Sequence, residues 1–368
     1  MTIAASVPNA ARPGLALRTP VVTGIRTGVP GNPVGQADAR AAAMSQFPEL
    51  AGDDGLLAAF ENAAIDERHL ARPIEWYLEE HGFAERNDVY IEEALALSER
   101  LATEAMADAG VDPTDIDAVL FVSTTGLSTP SLEAHLIQRL GIDHTAIRMP
   151  LWGLGCAGGA AGLARASDLV RAGYEHVLLI VVELCSLTFQ MGDDSKTNII
   201  GTALFADGGA ALVIGAEENP SLGAAPLLRV LHTHSELLDD SAALTGWDVI
   251  DDGFQLRLSR DIPAVVGANL RRVVDASLDL AGWSITDLDA IMVHPGGTKV
   301  ITGYELALEL EAGTLDITRD VLRRHGNMSS PTVLFVVAET IAHGVRGRGL
   351  ISATGPGFSA EHLLVELA

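Results

Sequence analysis

The hydrophobic and polar positions of the chain follow two kinds of pattern. In the segment AAGLARASDLVRAG, apolar residues recur at helical spacing, and the final Gly173 predicts a helix C-terminus. Runs such as VLLIVV and AALVIG contain no polar alternation, which is typical of strands buried on both faces. Helical segments that alternate with buried strands predict an α/β fold.

The same pattern occurs twice along the chain. The segments DPTDIDAVLFVSTTG and SITDLDAIMVHPGG share a T-D-[IL]-D-A core that starts at Thr114 and Thr286, an offset of 172 residues. GCAGGAAGLARASDLVRAG and GNMSSPTVLFVVAETIAHG each begin and end with glycine and are offset by 171 residues. We interpret this as a duplicated unit, which predicts two packed, mostly parallel sheets whose corresponding turns meet at the centre. Cys156 and Asn327 hold the same position in the two matching turns, so we expect them to lie close together.

On this basis we divide the chain into a loose N-terminal leader at residues 1–20 and two halves at 21–220 and 221–368. The leader lacks a charged start and a compact apolar stretch, so we do not expect a secretory signal. The best candidate for a membrane span, HVLLIVVELCSL, is too short and contains Glu183.

Composition excludes several classes of protein. The formal charge is −25, with 49 acidic against 24 basic residues and no local basic patch, which argues against binding to nucleic acid or to anionic membranes. Two cysteines cannot form a disulfide scaffold, and no CxxC pair predicts a zinc site. We therefore expect a cytoplasmic protein without a structural metal.

One of the two cysteines, Cys156, lies in the glycine-rich stretch GLGCAGGAAG. A turn that enters a helix at this point would place the thiol at a positive helix N-terminus, which favours the thiolate and predicts a pKa below the roughly 8.5 of free cysteine. Small neighbours would let a substrate reach the sulfur. Taken alone, a buried packing cysteine is an equally good interpretation.

Two further residues are candidates for the same site. His294 ends the predicted strand DLDAIMV and is followed by Pro295 and two glycines, a suitable place for a catalytic group. Alone it could equally be a core histidine, and Asn327 alone is better explained as a helix cap. Together with Cys156 they predict acyl transfer: the thiol takes an acyl group from a thioester, and the imidazole and amide stabilise an enolate formed by decarboxylation.

The motifs GLGCAGG, VHPGG, GNMSSPTVLF and SATGPGFSAE, in this order, resemble those of the type III polyketide synthases, the chalcone-synthase-like branch of the thiolase superfamily. The resemblance extends from about Val21 to the C-terminus. It implies a thiolase-like duplicated fold with two packed, mixed, mostly parallel five-stranded sheets in an αβαβα arrangement. It also implies a cofactor-free homodimer that uses an acyl-CoA starter and malonyl-CoA.

The resemblance assigns roles to particular residues. Cys156 corresponds to the nucleophile, and His294 and Asn327 to the residues that promote decarboxylation. ALFADGG matches a family segment in which Phe205 is the aromatic gate between entrance tunnel and cavity. Positions that line or shape the cavity correspond to Thr125, Cys185, Thr188, Trp247, Leu256, Ser329, Gly355, Pro356 and Gly357.

Two departures from the family pattern affect the expected substrate. The stretch GLLAAFENAAIDERHL, where many relatives have a basic helix that binds coenzyme A, contains no Lys or Arg before Arg68. Either other arginines bind the nucleotide, or one acyl group arrives on an acyl carrier protein. Trp247 stands where chalcone-forming enzymes have glycine. The pattern GWDV around it resembles the bacterial branches that extend fatty acyl starters into alkylpyrones or alkylresorcinols. Ordinary core packing is an equally good explanation for this residue.

Three other functions are less consistent with these motifs. A β-ketoacyl-carrier-protein synthase III shares the Cys-His-Asn set but condenses only once, and GNMSSP with GPG favours the polyketide branch. A hydroxymethylglutaryl-CoA synthase needs a catalytic glutamate, which the sequence alone does not place. A non-catalytic scaffold would be expected to have lost one of the three reactive residues.

Overall fold

The computed structural model describes residues 18–48, 53–259 and 261–368. Most of the predicted leader at 1–20 lies outside the described residues. The described strands are β1 (Pro20–Gly28), β2 (Asn32–Gly35), β3 (Glu67–Leu70), β4 (Ala118–Val122), β5 (Ile147–Leu151), β6 (His176–Leu184), β7 (Asp207–Ala216), β8 (Leu228–Leu237), β9 (Thr245–Ile250), β10 (Gly253–Leu258), β11 (Ala290–Val293), β12 (Gly347–Gly355) and β13 (Ser359–Leu367).

The described helices are α1 (Gln36–Gln46), α2 (Asp54–Asn62), α3 (Phe83–Ala109), α4 (Leu132–Leu140), α5 (Gly158–Ala172), α6 (Lys196–Leu204), α7 (Ile262–Asp279), α8 (Thr298–Leu308), α9 (Asp316–His325) and α10 (Thr332–Ala342). Helix α5 ends at Gly173 in the left-handed conformation, as its sequence predicts. None of the helices in the described part of the chain is both long enough and apolar enough to cross a membrane.

Nine strands form one mixed sheet in the order β11-β12-β13-β8-β1-β7-β6-β4-β5. Its parallel pairs are β4–β5, β4–β6 and β11–β12, and the other neighbours are antiparallel. The α/β class with a duplicated, thiolase-like arrangement is confirmed. The expected strand arrangement is wrong in detail: five strands of the first half continue into four of the second, and most pairs are antiparallel. The reason is that β7 and β13 run back beside β6 and β12: β13 follows β12 after the short turn Pro356–Phe358, and β7 returns to β6 after a longer connection that contains α6.

The duplication is visible in how the elements pair. In the first half β4 pairs in parallel with β6, and β6 pairs antiparallel with β7. In the second half β11 pairs in parallel with β12, and β12 pairs antiparallel with β13. Each first strand follows a short 3-10 turn formed by the repeated T-D motif, at Pro113–Asp115 and Ile285–Asp287. The domain boundaries at residues 20 and 220 stay a prediction.

Apolar burial explains the layers. Helices α5 and α10 contribute to one central core together with strands of both halves, and every residue of β6 and β7 is buried. Helix α3 covers the outer face of the first half, and α7 and α8 cover that of the second. Because α5 and α10 are the two buried central helices, the turns that precede them meet inside the molecule.

Candidate active site

Cys156 lies in a 3-10 turn, Gly155–Ala157, directly before α5. Residues of the second half surround this turn so closely that its glycines are required. A Cβ on Gly155 would lie 2.6 Å from the Pro356 ring, and one on Gly159 would lie 2.2 Å from the Ser330 carbonyl oxygen. The two halves therefore meet at the nucleophile candidate, as the duplication predicts.

The Cys156 sulfur is 3.5 Å from the Ser329 hydroxyl oxygen. Burial raises the pKa of the thiol to about 11, and the hydrogen bond with Ser329 lowers it by less. The expectation of a thiolate with a pKa below 8.5 is therefore wrong for the structure without substrate. The thiol does lie at the start of a helix, whose positive terminus favours the thiolate, but burial is the largest cause that shifts this pKa, and it raises the pKa.

Asn327 is held between the Cys156 turn and the segment that follows His294. Its Oδ1 accepts a hydrogen bond from the Ser329 amide at 2.8 Å, and its Nδ2 donates to the Gly296 carbonyl oxygen at 3.3 Å. The Gly296 position itself lies beside the imidazole, because a Cβ there would be 3.6 Å from His294 Nε2. A continuous set of contacts thus joins Cys156, Ser329, Asn327, Gly296 and His294.

His294 follows the end of β11 and extends its pairing, because its amide donates to the Ser352 carbonyl oxygen at 2.8 Å. The side chain is buried, and neither ring nitrogen has a hydrogen-bond partner among the described residues. Burial lowers the pKa of His294 to about 4, so the imidazole is neutral at physiological pH. A buried imidazole with both nitrogens unused is available to a substrate.

Glu183 is a site residue that sequence reasoning missed. It is fully buried, and its carboxylate oxygens accept hydrogen bonds from the Thr124 amide, the Thr125 hydroxyl and the Ser330 hydroxyl at 2.7–2.9 Å. Burial raises the pKa of this carboxyl. The sequence does carry a signal for this residue, since a single acidic residue interrupts the apolar run HVLLIVVELCSL. Glu183 fixes Thr125 and Ser330 on either side of the Cys156 turn.

An apolar cavity of about 110 Å³ lies beside this site. Five of the predicted cavity residues line it: Cys185, Thr188, Phe205, Trp247 and Leu256. Trp247 and Leu256 face each other across the β9–β10 hairpin. The alternative of Trp247 as ordinary core is thereby disfavoured, because its side chain forms part of the cavity wall.

The other predicted cavity residues do not line this cavity; several of them contact the Cys156 sulfur or the turn that carries it. Ser329 contacts the sulfur, Thr125 is bound to Glu183, and Pro356 packs on the Cys156 turn. A Cβ on Gly355 would lie 2.4 Å from the Leu154 carbonyl oxygen, so this loop also holds the nucleophile turn. Gly357 adopts a φ of 67°, and its carbonyl oxygen accepts a hydrogen bond from Ser241.

Phe205 lines the apolar cavity and adjoins one of the catalytic candidates. Its side chain lines the cavity, whereas Cys156, His294 and Asn327 do not. Its main chain pairs with that of Asn327. The gate role of Phe205 stays a prediction.

Arg68 is the first basic residue in the segment where many relatives have a basic helix. It is buried, and its guanidinium already makes hydrogen bonds within the protein. Its guanidinium donates to the carbonyl oxygens of Thr202, Ala203 and Phe205 and to Gln36. It stabilises the end of α6 and the Phe205 segment from inside. It is therefore not free to bind the phosphates of a nucleotide.

A thiol, an amide and an imidazole at the centre of a duplicated α/β fold define a condensing enzyme of the thiolase type. The family models of the chalcone and stilbene synthases match the chain, the N-terminal domain at residues 75–218 and the C-terminal domain at 230–367. The chain belongs to this family, the type III polyketide synthases, which are decarboxylating acyltransferases.

Individual relatives agree with this assignment. A protein of Bacillus subtilis (strain 168) that carries a provisional chalcone synthase name is 42% identical over 93% of this chain and 97% of its own length. The 1,3,6,8-tetrahydroxynaphthalene synthase of Streptomyces peucetius subsp. caesius is 36% identical over 94% of this chain and 92% of its own. The crystal structure of 1,3,6,8-tetrahydroxynaphthalene synthase from Streptomyces coelicolor A3(2), a bacterial type III polyketide synthase, superposes with a TM-score of 0.87 at 30% identity and covers 94% of this chain and 99% of that one.

Proposed function

We propose that this type III polyketide synthase loads an acyl starter on Cys156, extends it with malonyl units decarboxylated beside His294 and Asn327, and cyclises the product. The observation that carries the assignment of residues is the chain of contacts from the Cys156 sulfur through Ser329 and Asn327 to Gly296, beside the buried His294 imidazole. No other group of described residues combines a thiol with these two hydrogen-bonding side chains.

In the loading step the thiol must lose its proton, because the thiolate is the nucleophile. The Cys156 thiol and the His294 imidazole are both neutral before substrate arrives, since burial raises the pKa of the first and lowers that of the second. We assign the proton to His294 as the sulfur attacks the thioester carbonyl. The C–S bond to Cys156 forms, the bond to the departing thiol breaks, and that thiol takes the proton from His294.

In the extension step the malonyl carboxylate leaves as carbon dioxide, and its electron pair moves to the thioester as an enolate. The second Nδ2 proton of Asn327 and an N–H of the neutral His294 are the donors that stabilise the enolate oxygen. The enolate carbon then attacks the Cys156 thioester, a carbon–carbon bond forms, and the thiolate leaves. Reloading of the extended chain on Cys156 allows the cycle to repeat.

The starter is proposed to be a fatty acyl group. The apolar cavity has mostly aliphatic and aromatic walls, and Trp247 and Leu256 close one side of it. Such a lining favours a hydrocarbon chain over a polar starter. The product is then an alkylated pyrone or resorcinol-type ring.

Incubation of the purified protein with malonyl-CoA and acyl-CoAs from acetyl to long-chain, with products identified by mass spectrometry, tests this function. We expect products with two or more added two-carbon units and a preference for long starters. Cys156→Ala should abolish loading while some malonyl decarboxylation remains. Products with only one added unit would favour the synthase III alternative, and polyketide output from Cys156→Ala would refute the covalent role.

The carrier of the starter is tested in the same assay. We propose coenzyme A thioesters as substrates and no additional cofactor, although Arg68 does not supply the phosphate contact. Equal concentrations of one acyl group on coenzyme A and on an acyl carrier protein are compared by loading rate. Faster loading from the carrier protein would reassign the donor.

We also propose a cytoplasmic homodimer. Strand β5 is an edge strand of the nine-stranded sheet, and Leu127, Ile147 and Trp152 nearby are 45%, 40% and 51% exposed. An unpaired edge beside apolar side chains is a suitable surface for a second copy of the chain. Ile147→Lys should convert the dimer to a monomer in sedimentation analysis, whereas Leu306→Lys, at an exposed leucine of α8, should not. A monomeric parent protein would contradict the proposal.

A further inference from the structure

A second polar cluster faces the apolar cavity, apart from Cys156, His294 and Asn327. The Tyr77 and Ser186 side chains line this cavity, and Asp207 is buried behind them. The Tyr77 and Ser186 hydroxyl oxygens are 2.6 Å apart, and the Ser186 hydroxyl donates to Asp207 Oδ2. We call Tyr77, Ser186 and Asp207 the hydroxyl relay.

Both ends of the relay are fixed by main-chain groups. The Ala71 amide donates to Asp207 Oδ2 at 2.6 Å, and the Ser186 amide donates to Asp207 Oδ1 at 2.8 Å. At the other end, the Arg72 amide donates to the Tyr77 hydroxyl at 3.2 Å. With Asp207 ionised, the protons of Tyr77 and Ser186 therefore both point towards the carboxylate. This leaves a lone pair on the Tyr77 oxygen for a group in the cavity.

We propose that the hydroxyl relay is a proton acceptor and donor for aldol ring closure of the polyketide chain in the cavity. The inference rests on the proposed function, because the substrate is the poly-β-keto chain that this function produces. Tyr77 is the residue that contacts the chain, and Asp207 acts through Ser186.

The step balances without an added reagent. A methylene C–H bond between two carbonyls of the chain breaks, its proton moves to Tyr77, the Tyr77 proton to Ser186, and the Ser186 proton to Asp207, while the electron pair remains on the chain as an enolate. The enolate carbon attacks a second carbonyl of the same chain, and a carbon–carbon bond forms. The electron pair then resides on that carbonyl oxygen, which takes the proton back from Asp207 through the two hydroxyls.

The electrostatics of Asp207 suit this role. The titratable groups that face it are Arg68 from β3, Tyr77 and the Cys185 thiol. Burial raises the pKa of Asp207 to about 7, while its hydrogen bonds and Arg68 lower it by less. A group with a pKa near the working pH can both accept and return a proton. Burial also raises the pKa of Tyr77, so its hydroxyl passes protons without ionising itself.

The relay competes with spontaneous ring closure through oxygen, which gives a lactone. Tyr77→Phe and Ser186→Ala are each compared with the parent for starter loading, malonyl decarboxylation and the ratio of aldol-closed to lactone products between pH 5.5 and 8.5. We expect malonyl decarboxylation, whose residues lie outside the cavity lining, within about twofold of the parent; starter loading is measured so that product ratios are compared at equal loading, because Tyr77 and Ser186 line the cavity proposed to hold the starter. The aldol-to-lactone ratio should fall by at least about tenfold, because acid–base groups of this kind contribute on the order of 10²–10⁴ in rate.

The pH profile separates this role from a structural one. In the parent the ratio should fall as pH decreases through about 7, because protonated Asp207 no longer accepts the methylene proton; in the two variants this dependence should disappear. Ser186→Thr, which keeps the hydroxyl, should restore the aldol-to-lactone ratio and its pH dependence. Tyr174→Phe, at a tyrosine outside the cavity lining, should match the parent. Unchanged ratios in Tyr77→Phe and Ser186→Ala, or a parent that releases only lactones, would overturn the relay. A parent that makes no extended products would instead contradict the proposed function itself.

Discussion

The main chains of Phe205 and Asn327 lie side by side. The Asn327 amide donates to the Leu204 carbonyl oxygen at 3.0 Å, and the Ala206 amide donates to the Asn327 carbonyl oxygen at 2.9 Å. Phe205 belongs to the first half of the chain and Asn327 to the second. The residue that bounds the apolar cavity and the residue proposed to stabilise the enolate are thus fixed to each other, and a shift of one would displace the other.

Asn327→Ala tests the enolate role. The variant should still accept an acyl group on Cys156, but malonyl decarboxylation should fall by about 10²–10³, which is the usual effect of removing one oxyanion donor. Acylation is measured by intact-protein mass spectrometry and decarboxylation by carbon dioxide release. Asn269→Ala, at an asparagine of α7 whose amide donates to the Val265 carbonyl oxygen on the same helix, is the control. Normal carbon dioxide release from Asn327→Ala would contradict the assignment.

The raised pKa of Cys156 can be tested by the pH dependence of thiol alkylation in the protein without substrate. Alkylation requires the thiolate, and burial raises the thiol pKa to about 11, so the rate with iodoacetamide should still increase through pH 9 without reaching a plateau. Ser329→Ala removes a hydrogen bond that lowers this pKa and should shift the profile further to high pH. The profile is measured by intact-protein mass spectrometry, with Cys156→Ala to subtract reaction at Cys185. A plateau below pH 8 would mean that the resting thiol is already ionised.

The fold class could be predicted from the sequence because each copy of the repeat contains short motifs that report local structure. The T-D motifs, the glycines that begin and end each central helix and the unbroken apolar runs all report short-range structure, and they correctly indicated that the Cys156 and Asn327 turns meet. Strand direction was harder. Nothing in the run DGGAALVIGA distinguishes a parallel from an antiparallel buried strand, so the sequence does not reveal that β7 pairs antiparallel with both β6 and β1.

The sequence predicted which residues form the site but not their ionisation. Motifs indicate the residues, whereas the pKa of each side chain depends on how the folded chain packs around it. Cys156, His294 and Asn327 could be selected because each follows a recognisable strand or turn. The loss of solvation at Cys156 results from Ser329, Pro356 and other groups far away in sequence, and no local pattern reports it. The same holds for Asp207, whose contacts with Ala71 and Ser186 arise only when β3 and the Cys185 turn come together.

Trp247→Ala tests how the cavity wall sets the starter. Removal of the indole should enlarge the apolar cavity, and each further methylene that becomes buried stabilises binding by about 0.8 kcal/mol, so two methylenes should change kcat/KM for longer acyl starters by on the order of tenfold. Competition between starters of different length, with products quantified by mass spectrometry, measures this. Trp283→Ala, at a tryptophan that stacks with Arg348, is the control. An unchanged starter preference in Trp247→Ala would mean that this wall does not contact the acyl chain.

Gly355→Ala tests whether the closing loop supports the nucleophile turn. Its φ of −133° is open to any residue, so the expected defect comes only from crowding: the new Cβ would lie 2.4 Å from the Leu154 carbonyl oxygen and 2.7 Å from the Ala157 Cβ. The free energy of unfolding should fall by about 1–3 kcal/mol, as for other overpacked sites, and the loading rate should fall because Leu154 and Ala157 flank Cys156. Gly267→Ala, on α7 with no atom within 4 Å of the new Cβ, should instead gain about 1 kcal/mol. Urea unfolding and acylation kinetics measure both effects, and equal behaviour of the two variants would show that the loop does not hold the turn.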